Sequence, residues 1–305
     1  MTAGISGTTR VYLHLAHPSA HARTPQVMNA EFARRGVDAV AVSADVAPGD
    51  LGEFARGLRG WHNLAGLSVT MPHKEALAAH VDELAGPAAL IGAVNVVRRE
   101  DDGRLVAANT DGQGFVIGLR EAGHELAGRR VLLAGAGGAG RAVAFAVAGA
   151  GAVGLTIANR TAARAEPLAR DIAASYPAVA VAAGPPDPAG HDVVINATSL
   201  GMRPGDPLPV MVSRLAAGST LVCDIVTRPA QTRLLDEAAA RGRIPHPGLP
   251  MLAGQVDLIL DFLGLSGNRR ASVNPPDGSP GRPQFHDRER FTLRHCGIIR
   301  HVRRQ

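Results

Sequence analysis

Residues 130–149 read R-V-L-L-A-G-A-G-G-A-G-R-A-V-A-F-A-V-A-G. A short apolar strand runs into a glycine-rich turn, and an Ala/Val helix follows. Glycines at this place let bare backbone N–H groups approach a pyrophosphate at the helix N-terminus. Gly135, Ala136, Gly137, Gly138 and Ala139 are therefore candidate cofactor-binding residues. A second strand, G-L-T-I-A, follows the helix and strengthens the reading of a dinucleotide-binding unit. The residues after that strand select the nucleotide. An acid there would take the ribose hydroxyls of NAD. Here Ala158 leads into Asn159, Arg160, Thr161 and Arg164, with no acid. Two guanidinium groups suit a 2′-phosphate, and the threonine can donate a further bond. NADP is favoured over NAD.

This unit belongs to a longer alternation. Y-L-H-L-A, A-V-A-V and L-A-G-L-S-V read as strands, with helices at 25–35 and 50–59. V-N-V-V-R-R, E-D-D-G and R-L-V-A-A-N read as a hairpin turning on Asp-Gly. A helix is predicted from Asp111 to about residue 123, with the acid at its start. Further strands are predicted near 131–134, 154–158, 193–196 and 221–226, and a last helix at 251–264. Such alternation predicts an α/β fold, with helices around parallel sheets. A length of 305 residues allows two domains. Aromatic residues make up only 3%, so Ala, Val, Leu and Gly must fill the cores.

Among 32 Lys and Arg residues, Lys74 is the only lysine. It lies in S-V-T-M-P-H-K, ahead of G92-A-V-N95 and N109-T-D111-G-Q-G114. With these motifs in order, the chain resembles the shikimate and quinate dehydrogenase family. That family carries N-V-T-x-P-x-K, G-A-V-N-T, N-T-D-x-x-G, a G-A-G-G-A loop, N-R-T, N-A-T-x-x-G-M and G-x-x-M-L-x-x-Q. The last two match N196-A-T-S-L-G-M202 and G248-L-P-M-L-A-G-Q255. The resemblance covers roughly residues 10–266. It implies a substrate domain at 1–112, an NADP-binding Rossmann domain at 113–248 and a final helix, 249–266, that returns to the first domain.

The family reduces 3-dehydroshikimate to shikimate, reversibly. Lys74 and Asp111 match its catalytic pair. Hydride transfer to a carbonyl needs a proton donor at the oxygen, and the reverse reaction needs a base. A lysine amine can lose its proton; a guanidinium cannot. The resemblance also implies substrate contacts at Thr24, Thr70, Asn95, Thr227 and Gln255. Cofactor contacts are implied at Ile225 and Gly248.

Three departures fall on the substrate side. The family's G-N-P-I-x-H-S-x-S-P is A16-H-P-S-A-H-A-R-T-P25 here, so Ala22 and Thr24 replace two serines. D-x-V-Y-x-P has become D224-I-V-T-R-P229, and the asparagine of G-A-V-N95 is followed by Val96. Loss of a hydroxyl to a carboxylate weakens binding by roughly ten- to a hundred-fold. Arg23 or Arg228 could compensate. The substrate could accordingly be shikimate, quinate, an amino-substituted shikimate or another cyclic hydroxy acid. A non-catalytic NADP-binding protein of the same fold is the alternative from another class. The N-R-T and N-T-D motifs disfavour a methylenetetrahydrofolate dehydrogenase.

His14, His17 and His21 lack a metal-ligand spacing, and no metal is expected. Ser199 lies outside a nucleophile elbow, which excludes that route to a hydrolase. Two cysteines, Cys223 and Cys296, form no disulfide framework, and Cys223 reads as a small buried hydrophobe. The apolar run at 11–16 is too short for a signal peptide, and no run spans a membrane. A cytoplasmic protein is expected, monomeric or homodimeric. Residues 269–305 carry nine Arg against three acids. That basic tail, 267–305, is predicted to be disordered. Nucleic acid is not the expected partner.

Overall fold

The computed structural model describes residues 4–20, 22–215 and 220–267. The expectations for the tail beyond residue 267 and for His21 lie outside the described residues. The first lobe comprises β1 (Arg10–Ala16), α1 (Thr24–Arg35), β2 (Ala39–Asp45), α2 (Leu51–Leu58), β3 (Leu64–Val69), α3 (His73–Ala76), β4 (Glu83–Leu84), α4 (Ala88–Ile91), β5 (Val96–Arg99) and β6 (Leu105–Ala108). Helix α5 (Asp111–Glu121) leads to β7 (Arg130–Ala134), α6 (Gly138–Gly149), β8 (Gly154–Ala158), α7 (Ala162–Ser175), β9 (Ala180–Ala183), β10 (Val193–Asn196), β11 (Leu221–Asp224), α8 (Arg233–Ala240), β12 (Ile244–His246) and α9 (Leu249–Phe262).

Two six-stranded sheets result, ordered β2-β1-β3-β5-β6-β4 and β12-β11-β10-β7-β8-β9. The second is wholly parallel. The first is mixed because the β5–β6 hairpin pairs antiparallel. Gly103 takes the left-handed conformation in its Asp-Gly turn, with φ +88°. Each sheet carries its own Ala/Val/Leu-rich core. Cys223 is buried in the second, and burial pushes its thiol pKa up.

The strand and helix expectations hold to within a few residues, with three corrections. The predicted strand at 221–226 stops at Asp224. The last helix begins at Leu249, because Pro250 sits in its first turn, where a missing N–H costs nothing. Strands β9 and β12 go beyond what the periodicity suggested. Both are sheet edges, where Pro245 is tolerated inside β12.

Helix α5 is the joint between the lobes. Its glycines let three helices approach to backbone contact. A Cβ on Gly112 would lie 2.2 Å from the carbonyl oxygen of Ala142 in α6. On the other face, one on Gly118 would lie 2.7 Å from the backbone of Pro250, and one on Gly114 2.3 Å from Gln255 Cγ. Gly254 answers from α9, 2.6 Å from the Gly114 carbonyl oxygen. Positions 114 and 118 are one turn apart, so they form a single groove for α9. Further along, Ile259 and Leu260 of α9, with Leu263 just after it, pack with Tyr12, Met28 and Phe32 of the first lobe. Buried Arg35 of α1 adds an ion pair to Asp257. Helix α9 thus begins at the second sheet and ends on the first.

Gly118→Ala tests this packing. Helix propensity alone favours alanine by about 1 kcal/mol. The close approach of Pro250 predicts the opposite sign, a loss of about 1–3 kcal/mol in chemical denaturation. A stabilised variant would contradict the contact.

Candidate active site

The N-T-D motif places three polar residues where β6 gives way to α5. Asn109 Nδ2 donates to Ala93 O at 2.9 Å, and Asn109 Oδ1 accepts from the Asp111 N–H at 3.0 Å. These bonds fix Asp111 in the first turn of its helix, where a carboxylate is favoured. Asp111 is 3% exposed. Its Oδ2 accepts from Lys74 Nζ, and its Oδ1 accepts from Asn95 Nδ2 at 3.0 Å.

Lys74 comes from the other side. It sits in the short α3, just after the cis Met71–Pro72 bond. Its carbonyl accepts from Val94 N at 2.8 Å, which locks it to the segment before β5. Asn95, from that same segment, holds Thr110 through its Oδ1 at 2.8 Å. The Asn95 amide faces three acceptors: Thr110 Oγ1 at 2.9 Å, Asp111 Oδ1 at 3.0 Å and Gln255 Oε1 at 3.0 Å. An amide has two N–H bonds, so one acceptor is always under-served. That surplus suits the hydroxyl donors of a polyol.

The second lobe closes on this cluster. A Cβ on Gly138, at the start of α6, would lie 3.1 Å from Lys74 Cβ. Gly137 precedes it and opens into space, its missing Cβ meeting nothing nearer than Glu75 Oε1 at 4.0 Å. Gly135 has φ +115° and sits against the Ala197 carbonyl, a position closed to other residues. Asn159 Oδ1 accepts from Ala136 N at 3.1 Å, and its Nδ2 donates to Thr161 O at 2.9 Å. It ties the glycine loop to the turn after β8. Arg160 is exposed and makes no side-chain bond among the described residues. A free helix N-terminus, open space at Gly137 and two guanidiniums fit a phosphorylated dinucleotide.

The structure thus joins Lys74, Asp111, Asn95 and Gln255 and sets the glycine loop beside them. Thr24 and Thr70 are half-buried at the edges of the same lobe. Thr227 is exposed beyond β11 and is not joined to the cluster. Ile225 and Gly248 meet backbone to backbone, a Cβ on Gly248 lying 2.7 Å from Ile225 O. Among the described residues no group of His, Cys, Asp and Glu could hold a metal ion.

Several contacts around the cleft escaped the sequence reading. Arg164 donates to both oxygens of Glu75, at 2.7 and 2.6 Å, across the cleft between the lobes. Arg141 of α6 reaches the Ile91 carbonyl in the first lobe. Glu75 adjoins Lys74, and that adjacency was the available signal. Asp224 is buried without a cation, held by Asn196 Nδ2 at 3.0 Å, Thr232 Oγ1 at 2.7 Å and Val226 N at 3.0 Å. Burial pushes its pKa up.

Comparison with known proteins follows the same outline. Residues 15–97 match the family model of the shikimate dehydrogenase substrate binding domain, and residues 119–202 that of shikimate / quinate 5-dehydrogenase. The shikimate dehydrogenase (NADP+) of Rubrobacter xylanophilus is 43% identical over 281 residues, 90% of this chain and 94% of that protein. The chain belongs to the shikimate dehydrogenase family. A crystal structure of a family member in complex with NADP+ superposes with a TM-score of 0.80 at 34% identity, covering 86% of this chain and 92% of the other. A ligand-free 5-ketofructose reductase from Gluconobacter superposes at 0.74, also 34% identical, covering 84% and 92%.

Asn95→Ala should strip the cluster of its organiser. It orphans the Thr110 N–H and one Asp111 oxygen, each a loss of about 1–3 kcal/mol. Urea denaturation reads the change; a shift under about 0.5 kcal/mol, the range of an ordinary surface substitution, would contradict the network.

Proposed function

We propose that the chain catalyses the NADP-dependent, reversible reduction of 3-dehydroshikimate to shikimate. The observation that carries this reading is the Lys74–Asp111 ion pair, half-buried on the lysine side at the mouth of the interlobe cleft and beside the start of α6. When bound, NADPH supplies the hydride to the substrate carbonyl carbon. Lys74 donates a proton to the carbonyl oxygen and recovers one from solvent. In the reverse direction its amine accepts the hydroxyl proton. Asp111 aims the ammonium and takes a neighbouring ring hydroxyl. Asn95 and Gln255 exchange their mutual bond for bonds to the ring, with Thr70 beside them. Thr24 and Thr227 border the carboxylate end.

On the nucleotide side, residues 135–139 receive the pyrophosphate. Arg160, Thr161 and Arg164 receive the 2′-phosphate, and Asn159 holds the loop in shape. Ile225 and Gly248 border the nicotinamide. The reading divides the chain into a substrate domain, 1–112 with helix 249–266, and a nucleotide domain, 113–248. Among the described residues no helix is long and apolar enough to cross a membrane. We assign a cytoplasmic enzyme, monomeric or homodimeric, that supplies the route to aromatic amino acids.

Ala22 and Thr227 support a second reading, in which quinate, an amino-substituted shikimate or a related cyclic hydroxy acid is the better substrate. The relative named 5-ketofructose reductase supports the principle that this fold accommodates a changed ligand. A non-catalytic NADP-binding protein would have no need for Lys74, the sole lysine, held against a buried carboxylate.

NADPH oxidation with 3-dehydroshikimate, beside 3-dehydroquinate and an NADH control, decides between these readings. Turnover of the first ketone supports the leading one; turnover of the second alone transfers the reaction to quinate. Lys74→Arg keeps the charge but cannot titrate, so kcat should fall by at least about a hundred-fold with the melting temperature little changed. Arg164→Ala should raise the NADPH Kd by roughly ten- to a hundred-fold and leave NADH unaffected. Glu75→Gln releases Arg164 from a half-exposed ion pair worth about 0.2–1 kcal/mol, so NADPH should bind about two- to five-fold tighter.

A further inference from the structure

His14 is an odd residue for its place. It lies in β1, 6% exposed, and its Nδ1 is 2.7 Å from Oγ of Ser68 on the neighbouring β3. Strand alternation puts it on the same face as Tyr12, which packs against Met28, Phe32 and Leu260. Burial and the nearby Lys74 charge push its pKa down to about 4, so the ring is neutral at pH 7. A neutral imidazole has one donor and one acceptor nitrogen. Ser68 engages Nδ1, and Nε2 makes no bond among the described residues.

The elements around His14 point to where that nitrogen faces. Met28 and Ile259 cover the Tyr12 end of this face. One turn before Met28 is Thr24, at the start of α1. One turn before Ile259 is Gln255, midway along α9. His14, two residues beyond Tyr12, therefore lies toward Thr24 and Gln255. The strand register agrees: Ser68 pairs with both His14 and Val96, and Asn95 precedes Val96. A ring whose Nδ1 accepts from the Ser68 hydroxyl carries its proton on Nε2.

We propose that His14 is a substrate-contacting residue, presenting its Nε2–H to the carboxylate of the cyclic acid and standing in for the hydroxyl that Ala22 lacks. The inference rests on the reading of the cleft given above. It accounts for a polar pair within an apolar layer, and for how a pocket missing one hydroxyl still grips an anion.

The test uses the full chain. His14→Val should raise KM for 3-dehydroshikimate by roughly ten- to a hundred-fold. The NADPH Kd and kcat should stay within about three-fold, since a contact equal in ground and transition states acts on KM. His14→Asn, which keeps an N–H donor, should recover part of the loss. In the wild type, labelled with 15N-histidine, shikimate added to the NADP+ complex should shift the His14 Nε2 resonance. This last readout stands even if His14→Val fails to fold. An unchanged KM in a folded His14→Val, or an Nε2 resonance indifferent to shikimate, overturns the inference and leaves the function intact. A wild type that binds NADPH but reduces neither 3-dehydroshikimate nor 3-dehydroquinate overturns the reading of the cleft, and this inference with it.

Discussion

The Asp111 carboxylate is the point on which this architecture turns. A carboxylate with 3% exposure has lost most of its water and needs partners for its charge. Here it is matched from two directions, by the Lys74 ammonium and by the Asn95 amide. Each partner comes from a different stretch of the first lobe, and Gln255 reaches the same amide from the far end of the chain. Removing one partner of such a pair typically costs about 3–5 kcal/mol, because the other charge is stranded. The cluster is therefore a fold determinant and, in the proposed mechanism, the reacting centre. The glycines of α5 follow from it: side chains at 112, 114 or 118 would hold α6 and α9 too far away.

The cleft is bounded by contacts of very different strength. On one side, α5 and α9 are welded by backbone contact. On the other, the lobes meet through the exposed Arg164–Glu75 pair and through Arg141 on the Ile91 carbonyl. Such exposed charge pairs are cheap to break. In the proposed reading, a 2′-phosphate would compete with Glu75 for Arg164. The nucleotide thus meets a site whose cation is already in place but lightly engaged.

Much of this was legible in the sequence, for physical reasons. The strand–glycine–helix unit is constrained by backbone sterics at φ +115° for Gly135, so it leaves a local signature. The Asn-Thr-Asp motif is equally local, since Asn109 caps its own turn through Asp111 N. The solitary lysine was visible in composition alone. What the sequence hid was long-range. The partnership of Arg164 with Glu75 spans 89 residues, and nothing local marks it. The edge strands β9 and β12 alternate weakly because sheet edges bury little. His14 was weighed only as a metal ligand, and its pairing with Ser68 depends on strand register. Asn159, expected as a cofactor contact, also braces the glycine loop through bonds that its sequence position does not show.

The most direct test of the central claim is a crystal structure of the ternary complex with NADP+ and shikimate. The account predicts Lys74 Nζ within about 3 Å of the hydroxyl on the ring carbon that faces the nicotinamide. It also predicts an adjacent hydroxyl on Asp111, with Gln255 turned from Asn95 toward the ring. A ligand seated elsewhere, or a Lys74–Asp111 pair that remains closed and untouched by the substrate, would contradict it.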